Sequence, residues 1–195
     1  MPRMFLLCGD IAAGKSTYAE VFARQHGLRR ISIDDCYAFY NGTDTCRENK
    51  FEAWQLFFKL IHEAYKLGQD IVVDTNAPYI SDRQEFLNWF PEYDEHTLIC
   101  IRANLDIIKA RNAHRYRKVP LDVLERLYRE FEMPMYDEPG GRSNWDNIYW
   151  FNNNANGLEL VEIIRRNYNL KEYPVEQDFL YEILKKEMLN ESLLR

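Results

Sequence analysis

The feature that most constrains this chain is a glycine-rich segment between an apolar run and a predicted helix. The segment Gly9-Asp10-Ile11-Ala12-Ala13-Gly14-Lys15-Ser16 fits the pattern G-x-x-x-x-G-K-[ST] without a mismatch. The apolar residues 4–8 precede it, and residues 16–23 are typical of a helix. Strand, glycine loop and helix in this order are the context that identifies a phosphate-binding loop. The sequence therefore predicts a site for a nucleoside triphosphate.

The chemistry of such a loop depends on its residue types. Glycines let backbone N–H groups turn inward around a polyphosphate, and the N-terminus of the following helix adds a positive dipole end. Lys15 is expected to reach the outer phosphates and Ser16 to offer its hydroxyl to Mg²⁺. The alternative, a glycine-rich turn that binds no ligand, is disfavoured because both the motif and its context match.

Composition narrows the class of protein. The 195 residues are 46% hydrophobic and 14% aromatic, which is enough for one folded core. The net charge of −6 argues against broad, salt-driven adhesion to nucleic acid. No apolar run approaches the ~20 residues of a membrane span, and no signal peptide is evident. The four cysteines have no C-x-x-C spacing, so we expect a reduced, cytoplasmic protein without a zinc site and with Cys8 and Cys100 buried in strands.

Predicted strands and helices alternate along the chain, which indicates an α/β fold with a parallel sheet of four or five strands covered by helices. The predicted strands are 4–8, 30–33, 70–74, 97–101 and 147–151. The predicted helices are 16–23, 51–67, a segment from a capping box at Ser81 to Pro91, 105–117, a segment opened by Pro120, 158–168 and 177–193. Residues 134–143 are predicted to be irregular and 152–156 to form a turn.

Polar residues follow two of the predicted strands. Asp34-Asp35 comes after the second strand and Asp74-Thr75-Asn76 after the third. Ligands of open parallel sheets bind beyond the carboxyl ends of the strands, where the phosphate loop also lies. A carboxylate at that edge can hold Mg²⁺ or accept a proton from an attacking hydroxyl. Helix capping is the alternative role for each aspartate.

Positive charge is concentrated between residues 102 and 118 of an otherwise acidic chain. Arg111 and Arg115 are spaced i, i+4, so on a helix they would present two guanidiniums on one face, with Lys118 nearby. Arginines that close over a phosphoryl group stabilise its charge during transfer. A solvated charged face is the alternative.

Four blocks of the sequence carry a family resemblance. They are the loop 9–17, the pair 34–35, the triplet 74–76 and the match from Arg111-Asn112-Ala113-His114-Arg115 through Val119-Pro120 to Leu127-Tyr128. Over residues 4–140 the chain resembles the kinase domain of phage-type polynucleotide 5′-kinases, within the adenylate-kinase-like group of P-loop kinases. The resemblance implies a three-layer P-loop kinase domain over residues 1–168, with a lid at about 104–135. Residues 169–195 lie beyond the resemblance and are expected to form a C-terminal helical extension.

The resemblance also implies roles for individual residues. Lys15, Asp34 and Arg115 would be catalytic: Asp34 as general base, Lys15 on the phosphates and Arg115 as the lid arginine. The whole loop with Thr17 and Arg111 would bind ATP, and Ser16 would bind Mg²⁺. The acceptor would lie near a set of four residues, Asp35, Tyr37, Asp74 and Asn76. In that family an arginine three residues after the base contacts acceptor phosphate, but here that position is Tyr37, whose ring could stack on a base.

The expected reaction is transfer of the γ-phosphate of ATP to a hydroxyl of DNA or RNA, most simply a polynucleotide 5′-OH. Other acceptors remain open: a hydroxymethylated base, a nucleotide or nucleoside, or a small metabolite. A nucleotide-binding module that phosphorylates nothing is the competing class. A GTPase is disfavoured because the guanine signature N-K-x-D is absent from the sequence.

Overall fold

The computed structural model describes residues 1–134, 145–154 and 156–165, with side chains up to residue 162. The strands are β1 Arg3–Gly9, β2 Arg29–Ser32, β3 Ile71–Asp74, β4 Glu95–Arg102, β5 Asn147–Asn154 and β6 Gly157–Arg165. The helices are α1 Lys15–His26, α2 Ile33–Asn41, α3 Lys50–Lys66, α4 Ile80–Trp89, α5 Leu105–His114 and α6 Leu121–Glu130.

The strands form one sheet in the order β2-β3-β1-β4-β5-β6. The first five are parallel, with β1 between β3 and β4. Separate apolar clusters cover the two faces, because alternate residues of β1 point to opposite sides: Leu6 into one cluster, Leu7 into the other. The predicted α/β fold with a buried parallel sheet is confirmed. Its consequence is that the carboxyl ends of five strands meet at one edge.

The sixth strand contradicts the predicted helix 158–168. Residues from Gly157 pair antiparallel with β5, from Ile148↔Ile164 to Asn154↔Gly157, with a register shift between Trp150 and Phe151. Leu158 is buried while Glu159 is exposed, which is the alternation of a strand. The apolar spacing of residues 161 and 164 is compatible with a helix as well as with a strand. The strand forms because one edge of β5 is available for pairing. The predicted turn at 152–156 is likewise wrong at its start, because Asn152–Asn154 extend β5.

Three predicted boundaries near the strand ends are also wrong. The second strand stops at Ser32, and Asp34-Asp35 begin α2, where acidic residues favour a helix N-terminus. Helix α4 begins at Ile80 rather than after Ser81, since the Tyr79 N–H donates to Asp82 Oδ2 at 3.3 Å. Helix α5 ends at His114, and Arg115 has extended backbone angles, so the two guanidiniums do not share a helix face.

Other predictions lie outside the described residues. They are most of the irregular segment 134–143, the helix 177–193 and the domain boundary at 168–169. Within the described ranges, no helix is both long enough and apolar enough to cross a membrane. Cys8 and Cys100 are fully buried on paired strands, as expected.

Candidate active site

The phosphate loop is shaped by two close approaches. Gly9 has φ +129°, and a Cβ there would lie 1.9 Å from the carbonyl oxygen of Ile101 on β4. Gly14 has φ +98°, and its Cβ would lie 2.7 Å from Nδ2 of Asn153. A larger residue at Gly9 would collide with the backbone of β4, and one at Gly14 would displace the Asn153 amide. The motif glycines therefore fix the loop against the sheet edge.

Lys15 begins α1, and its side chain turns back into the phosphate loop. Its ammonium donates to the carbonyl oxygens of Gly9 at 3.0 Å and Asp10 at 2.7 Å. Burial lowers the pKa of Lys15, while the carboxylates of Asp74 and Asp10 act in the opposite direction. The ammonium is therefore bound by two neutral carbonyl acceptors. A charged phosphate oxygen would form a stronger hydrogen bond with it.

Asp10 does not face the loop interior, although it belongs to the predicted nucleotide-binding set. Its carboxylate is buried and accepts from Arg102, with Nε to Oδ2 at 2.9 Å and Nη2 to Oδ1 at 3.0 Å. The backbone N–H of Ala103 also donates to it, at 3.3 Å. Its side chain therefore fastens the loop to the end of β4 and contacts no ligand position.

A cavity of about 1090 Å³ opens at the carboxyl edge of the sheet. From the phosphate loop it is lined by Ile11, Ala12, Gly14, Lys15, Ser16 and Thr17. The polar and basic residues that line it elsewhere are Asp34, Tyr37, Arg47, Asp74, Thr75, Asn76, Arg111, Arg115, Arg117, Asn153, Asn154 and Asn156. Of the sequence-predicted site residues, Gly9, Asp10, Ala13 and Asp35 do not line it. The structure brings the other predicted residues into one space.

Asp74 lies beside the phosphate loop. Its Oδ1 accepts from the Ser16 hydroxyl at 3.3 Å, and its Oδ2 pairs with Arg30 at 2.6 Å. Arg30 also pairs at 2.7 Å with Asp35, whose side chain is 68% exposed. Asp35 is thus a surface partner of Arg30, and its predicted contact with the acceptor has no support in this geometry.

A hydroxyl next to a carboxylate is a donor set that suits Mg²⁺, which takes oxygen ligands. Ser16 Oγ and Asp74 Oδ1 are the pair that fits, beside the loop expected to bind phosphates. Among the described residues no group of three or more His, Cys, Asp or Glu side chains could hold a metal by itself.

Asp34 stands across the cavity and accepts from two arginines. Arg47 Nη2 lies 2.8 Å and Arg117 Nη1 3.0 Å from the same oxygen, Oδ1. Burial alone would raise the pKa of Asp34, but the Arg117 and Arg47 guanidiniums together outweigh it and hold the pKa below its ordinary value. Arg47 also stacks on Tyr37, its guanidinium carbon 3.7 Å from the ring centroid. In this state the ring face expected to stack on a base is covered by Arg47.

Arg111 and Arg115 reach the cavity from different backbone settings. Arg111 on α5 donates to the Asn153 carbonyl oxygen at 2.9 Å. Arg115 follows the helix and is half-buried; burial and the neighbouring Arg117 lower its pKa, while Asp34 and Asp44 oppose this. Both predicted lid arginines therefore line the site, with Arg115 on the side of Asp34.

Four residues that contact the predicted site residues are not predicted as site residues from the sequence: Arg30, Arg47, Arg117 and Asn153. Arg117 was visible in the basic cluster, but its partner Asp34 is distant in the chain. The sequence predicts a turn at Asn153, but this residue lies in β5 and its amide donates to the Ala13 carbonyl oxygen at 2.8 Å. No local signal in the sequence marks Arg30 or Arg47 as neighbours of the aspartates.

The chain matches the family model described as AAA domain, AAA_33, over residues 4–134. It is 29% identical over 153 residues to the L-seryl-tRNA(Sec) kinase of Methanococcus maripaludis, covering 73% of this chain and 56% of that protein. The chain thus spans only about half the length of that relative.

Solved structures share the fold at low sequence identity. A structure of the Pnkp1/Rnl/Hen1 RNA repair complex aligns with a TM-score of 0.61 and 15% identity, over 92% of this chain and 53% of the other. A sugar kinase from Janibacter sp. aligns with a TM-score of 0.55 and 16% identity, over 78% of this chain and 86% of the other.

These comparisons bear out the P-loop kinase part of the expected resemblance, without singling out the phage-type polynucleotide kinases. The family match covers β1 to α6, which includes the phosphate loop, Asp34, Asp74, Arg111 and Arg115. This chain therefore has the P-loop kinase fold and belongs to the AAA domain family AAA_33.

Proposed function

We propose that this protein is a kinase that transfers the γ-phosphate of ATP to a hydroxyl group carried by a nucleic acid. One observation carries the proposal: a single cavity is lined by the phosphate loop and, across from it, by the carboxylate of Asp34. A donor phosphate and an acceptor hydroxyl could therefore meet in one space.

The donor end consists of the loop, Lys15, Ser16 and Arg111. Backbone N–H groups of the loop bind the β-phosphate, and Lys15 exchanges its two carbonyl partners for phosphate oxygens. Ser16 and Asp74 would hold Mg²⁺, which when bound neutralises charge on the β- and γ-oxygens. Arg111, held against Asn153, faces the same end.

The acceptor end consists of Asp34 and the groups around it. Asp34 accepts the proton of the acceptor hydroxyl as the new O–P bond forms. The bond between the γ-phosphorus and the β,γ-bridging oxygen breaks, and ADP leaves with that electron pair. Arg115 and Arg117 lie beside this path and offset the charge on the transferring phosphoryl group.

Two lines support a nucleic acid as the carrier of the hydroxyl. The cavity wall opposite the loop is rich in arginine although the whole chain carries a net charge of −6. The curated relative at 29% identity is named as a kinase of a seryl-tRNA, in which a hydroxyl is joined to RNA. The aminoacyl hydroxyl of a charged tRNA is therefore the second acceptor to test beside the 5′-OH end.

The deciding experiment is incubation with ATP labelled at the γ-phosphate and a panel of acceptors. The panel contains 5′-OH DNA, 5′-OH RNA, seryl-tRNA, DNA with hydroxymethylated bases, nucleosides and sugars. We expect label in one of the nucleic-acid classes and none with Lys15→Ala. Label only in sugars or other small metabolites would refute the nucleic-acid acceptor, and ATP binding without labelling of any acceptor would refute the kinase.

A further inference from the structure

The irregular segment between α5 and α6 carries two of the arginines that line the cavity. This basic loop, residues 115–118, has the sequence Arg-Tyr-Arg-Lys. Arg115 and Arg117 line the cavity, whereas the side chain of Tyr116 is 93% exposed. A group that stabilises a transition state must be held close to its working position, and a loop can do this only through specific contacts. The contacts at the two ends of the basic loop therefore bear on the reaction.

The side chain of Asn112, in the last turn of α5, closes the base of this loop. Its Nδ2 donates to the carbonyl oxygen of Val119 at 2.8 Å, and its Oδ1 accepts from the N–H of Val119 at 3.0 Å. The backbone oxygen of Asn112 also accepts from the N–H of Arg115, at 3.3 Å. One residue of α5 thus binds the first residue of the basic loop and the residue that follows its last.

An amide side chain suits this position because the backbone of Val119 presents one donor and one acceptor. A short side chain with one hydrogen-bonding group of each kind satisfies both. Asn112 is only 3% exposed, so its replacement by an apolar residue would leave polar groups of Val119 without these partners. Pro120 restricts the backbone of Val119 to extended conformations, which keeps this end of the loop stiff.

Asn112 itself does not line the cavity. Across the cavity, Arg117 donates to Asp34 Oδ1 at 3.0 Å and to the carbonyl oxygen of Asp44 at 3.1 Å. The basic loop is therefore held at its base by Asn112 and at the opposite wall by Arg117. Arg115 lies between these two attachments, and any effect of Asn112 on the chemistry passes through the loop.

We propose that Asn112 is a positioning residue that holds Arg115 where it meets the transferring phosphoryl group. The inference rests on the proposed kinase function, in which Arg115 offsets the charge of that group. Without the Asn112 amide, Val119 separates from α5 and the basic loop adopts other conformations, so Arg115 is in its working position less often. The ATP end is spared, because Arg111 is held separately by the carbonyl oxygen of Asn153.

Limited proteolysis measures the closure of the loop without relying on turnover. Trypsin cleaves after arginine and lysine, and mass spectrometry identifies cuts after residues 115, 117 and 118. Asn112→Leu has a similar shape but makes neither hydrogen bond to Val119, so cleavage in the loop should be about tenfold faster through local opening. If Asn112→Leu does not fold, Asn112→Ala replaces it, because alanine leaves room for water on the polar groups of Val119.

The matched control for the proteolysis is Ile108→Val. Ile108 is buried on the same helix and packs in the apolar cluster, so this variant loses stability while the contacts of Asn112 remain. Cleavage of the loop should stay close to the wild-type rate in Ile108→Val. Equal acceleration in the two variants, or none in Asn112→Leu, would overturn the closure of the loop by Asn112.

Kinetics with the acceptor found in the labelling panel test the role in transfer. Asn112→Leu should lower kcat about tenfold to a hundredfold, the effect of a misplaced stabilising group, while the KM for ATP changes less than about twofold. In the Arg115→Ala background, Asn112→Leu should cause little further loss of kcat, because the two residues act as a unit. Additive losses of kcat, or a parallel rise in the KM for ATP, would overturn the positioning role.

The failures of the two proposals are distinguishable. A panel in which no acceptor is labelled would refute the kinase and with it the catalytic role of Arg115. Unaltered cleavage of the basic loop in Asn112→Leu would refute only the role of Asn112.

Discussion

The Asn153 side-chain amide donates at 2.8 Å to the carbonyl oxygen of Ala13, which joins the end of β5 to the phosphate loop. The backbone oxygen of the same asparagine accepts from Arg111 at 2.9 Å. The loop, β5 and α5 are therefore held together through one residue. Because Gly14 leaves no room for a Cβ beside this amide, the loop glycine and the asparagine depend on each other.

Asn153→Ala should weaken ATP binding about fivefold, the equivalent of one buried hydrogen bond of about 1 kcal/mol. Calorimetric titration with ATP measures this. Asn152→Ala is the matched control, because neighbouring residues of a strand point to opposite faces. Equal effects of the two substitutions would show that Asn153 does not position the loop.

Gly9→Ala should prevent the native loop from forming, since the new Cβ would lie 1.9 Å from a backbone oxygen of β4. Gly27→Ala provides a comparison, because Gly27 also has positive φ, at +64°, but nothing lies within 4 Å of its Cβ position. In urea denaturation, Gly27→Ala should lower the free energy of unfolding by about 1–2 kcal/mol, because alanine is strained in a left-handed backbone conformation. If Gly9→Ala lowers the free energy of unfolding no more than Gly27→Ala does, the close contact between Gly9 and Ile101 is contradicted.

Lys15→Ala should lower turnover about 10²–10³-fold, the loss typical of removing one electrostatic stabiliser. The fold should remain, because among the described residues the ammonium donates to two loop carbonyls and forms no ion pair. Steady-state kinetics and circular dichroism measure the two effects. A variant that keeps more than about a tenth of the wild-type rate would exclude Lys15 from the chemistry.

Asp34→Asn should reduce turnover about 10²–10⁴-fold while ATP affinity stays nearly constant, as expected for loss of a general base. Collapse of Mg²⁺ or ATP binding instead would make Asp34 a metal-site residue. The substitution should also change the response of stability to acid. The folded-state pKa of Asp34 lies below its ordinary value, so its contribution is complete above that value and is lost as pH falls through the folded pKa.

Consequently the stability difference between the wild type and Asp34→Asn should be constant at neutral pH and shrink on acidification below about pH 4. Urea titrations at a series of pH values measure this difference. A difference that stays constant down to low pH would contradict the ion pairs of Asp34 with Arg47 and Arg117.

Arg115→Ala should depress kcat with little change in acceptor affinity if Arg115 acts on the transferring phosphoryl group. If Arg115 instead binds a phosphate of a nucleic-acid backbone, Arg115→Ala should weaken acceptor binding. The salt dependence of that binding should then fall by about one phosphate contact. Lys118→Ala is the comparison, because Lys118 is exposed and does not line the cavity. Unaltered kcat in Arg115→Ala on the true substrate would exclude the lid role.

The sequence by itself determined the phosphate loop, the parallel α/β architecture and the position of Asp74 at the end of a strand, whereas Asp34 lies in the first turn of α2. These follow from local rules: a motif at fixed spacing, apolar periodicity, and the fact that parallel strands end at one edge. The same rules failed where two local structures were equally compatible with the pattern. Residues 158–165 fit a helix or a strand, and the unpaired edge of β5 decided for the strand.

Only the tertiary structure decided which charges meet. Arg117 and Arg47 converge on one oxygen of Asp34 from separate elements, and Arg30 occupies Asp35, so two adjacent aspartates that look alike in sequence have different environments. The side chain of Asp10, inside the motif, turns to Arg102 rather than to the loop interior. The physical reason is that electrostatic pairing depends on distance in space, and the chain brings these partners together only when the sheet is complete.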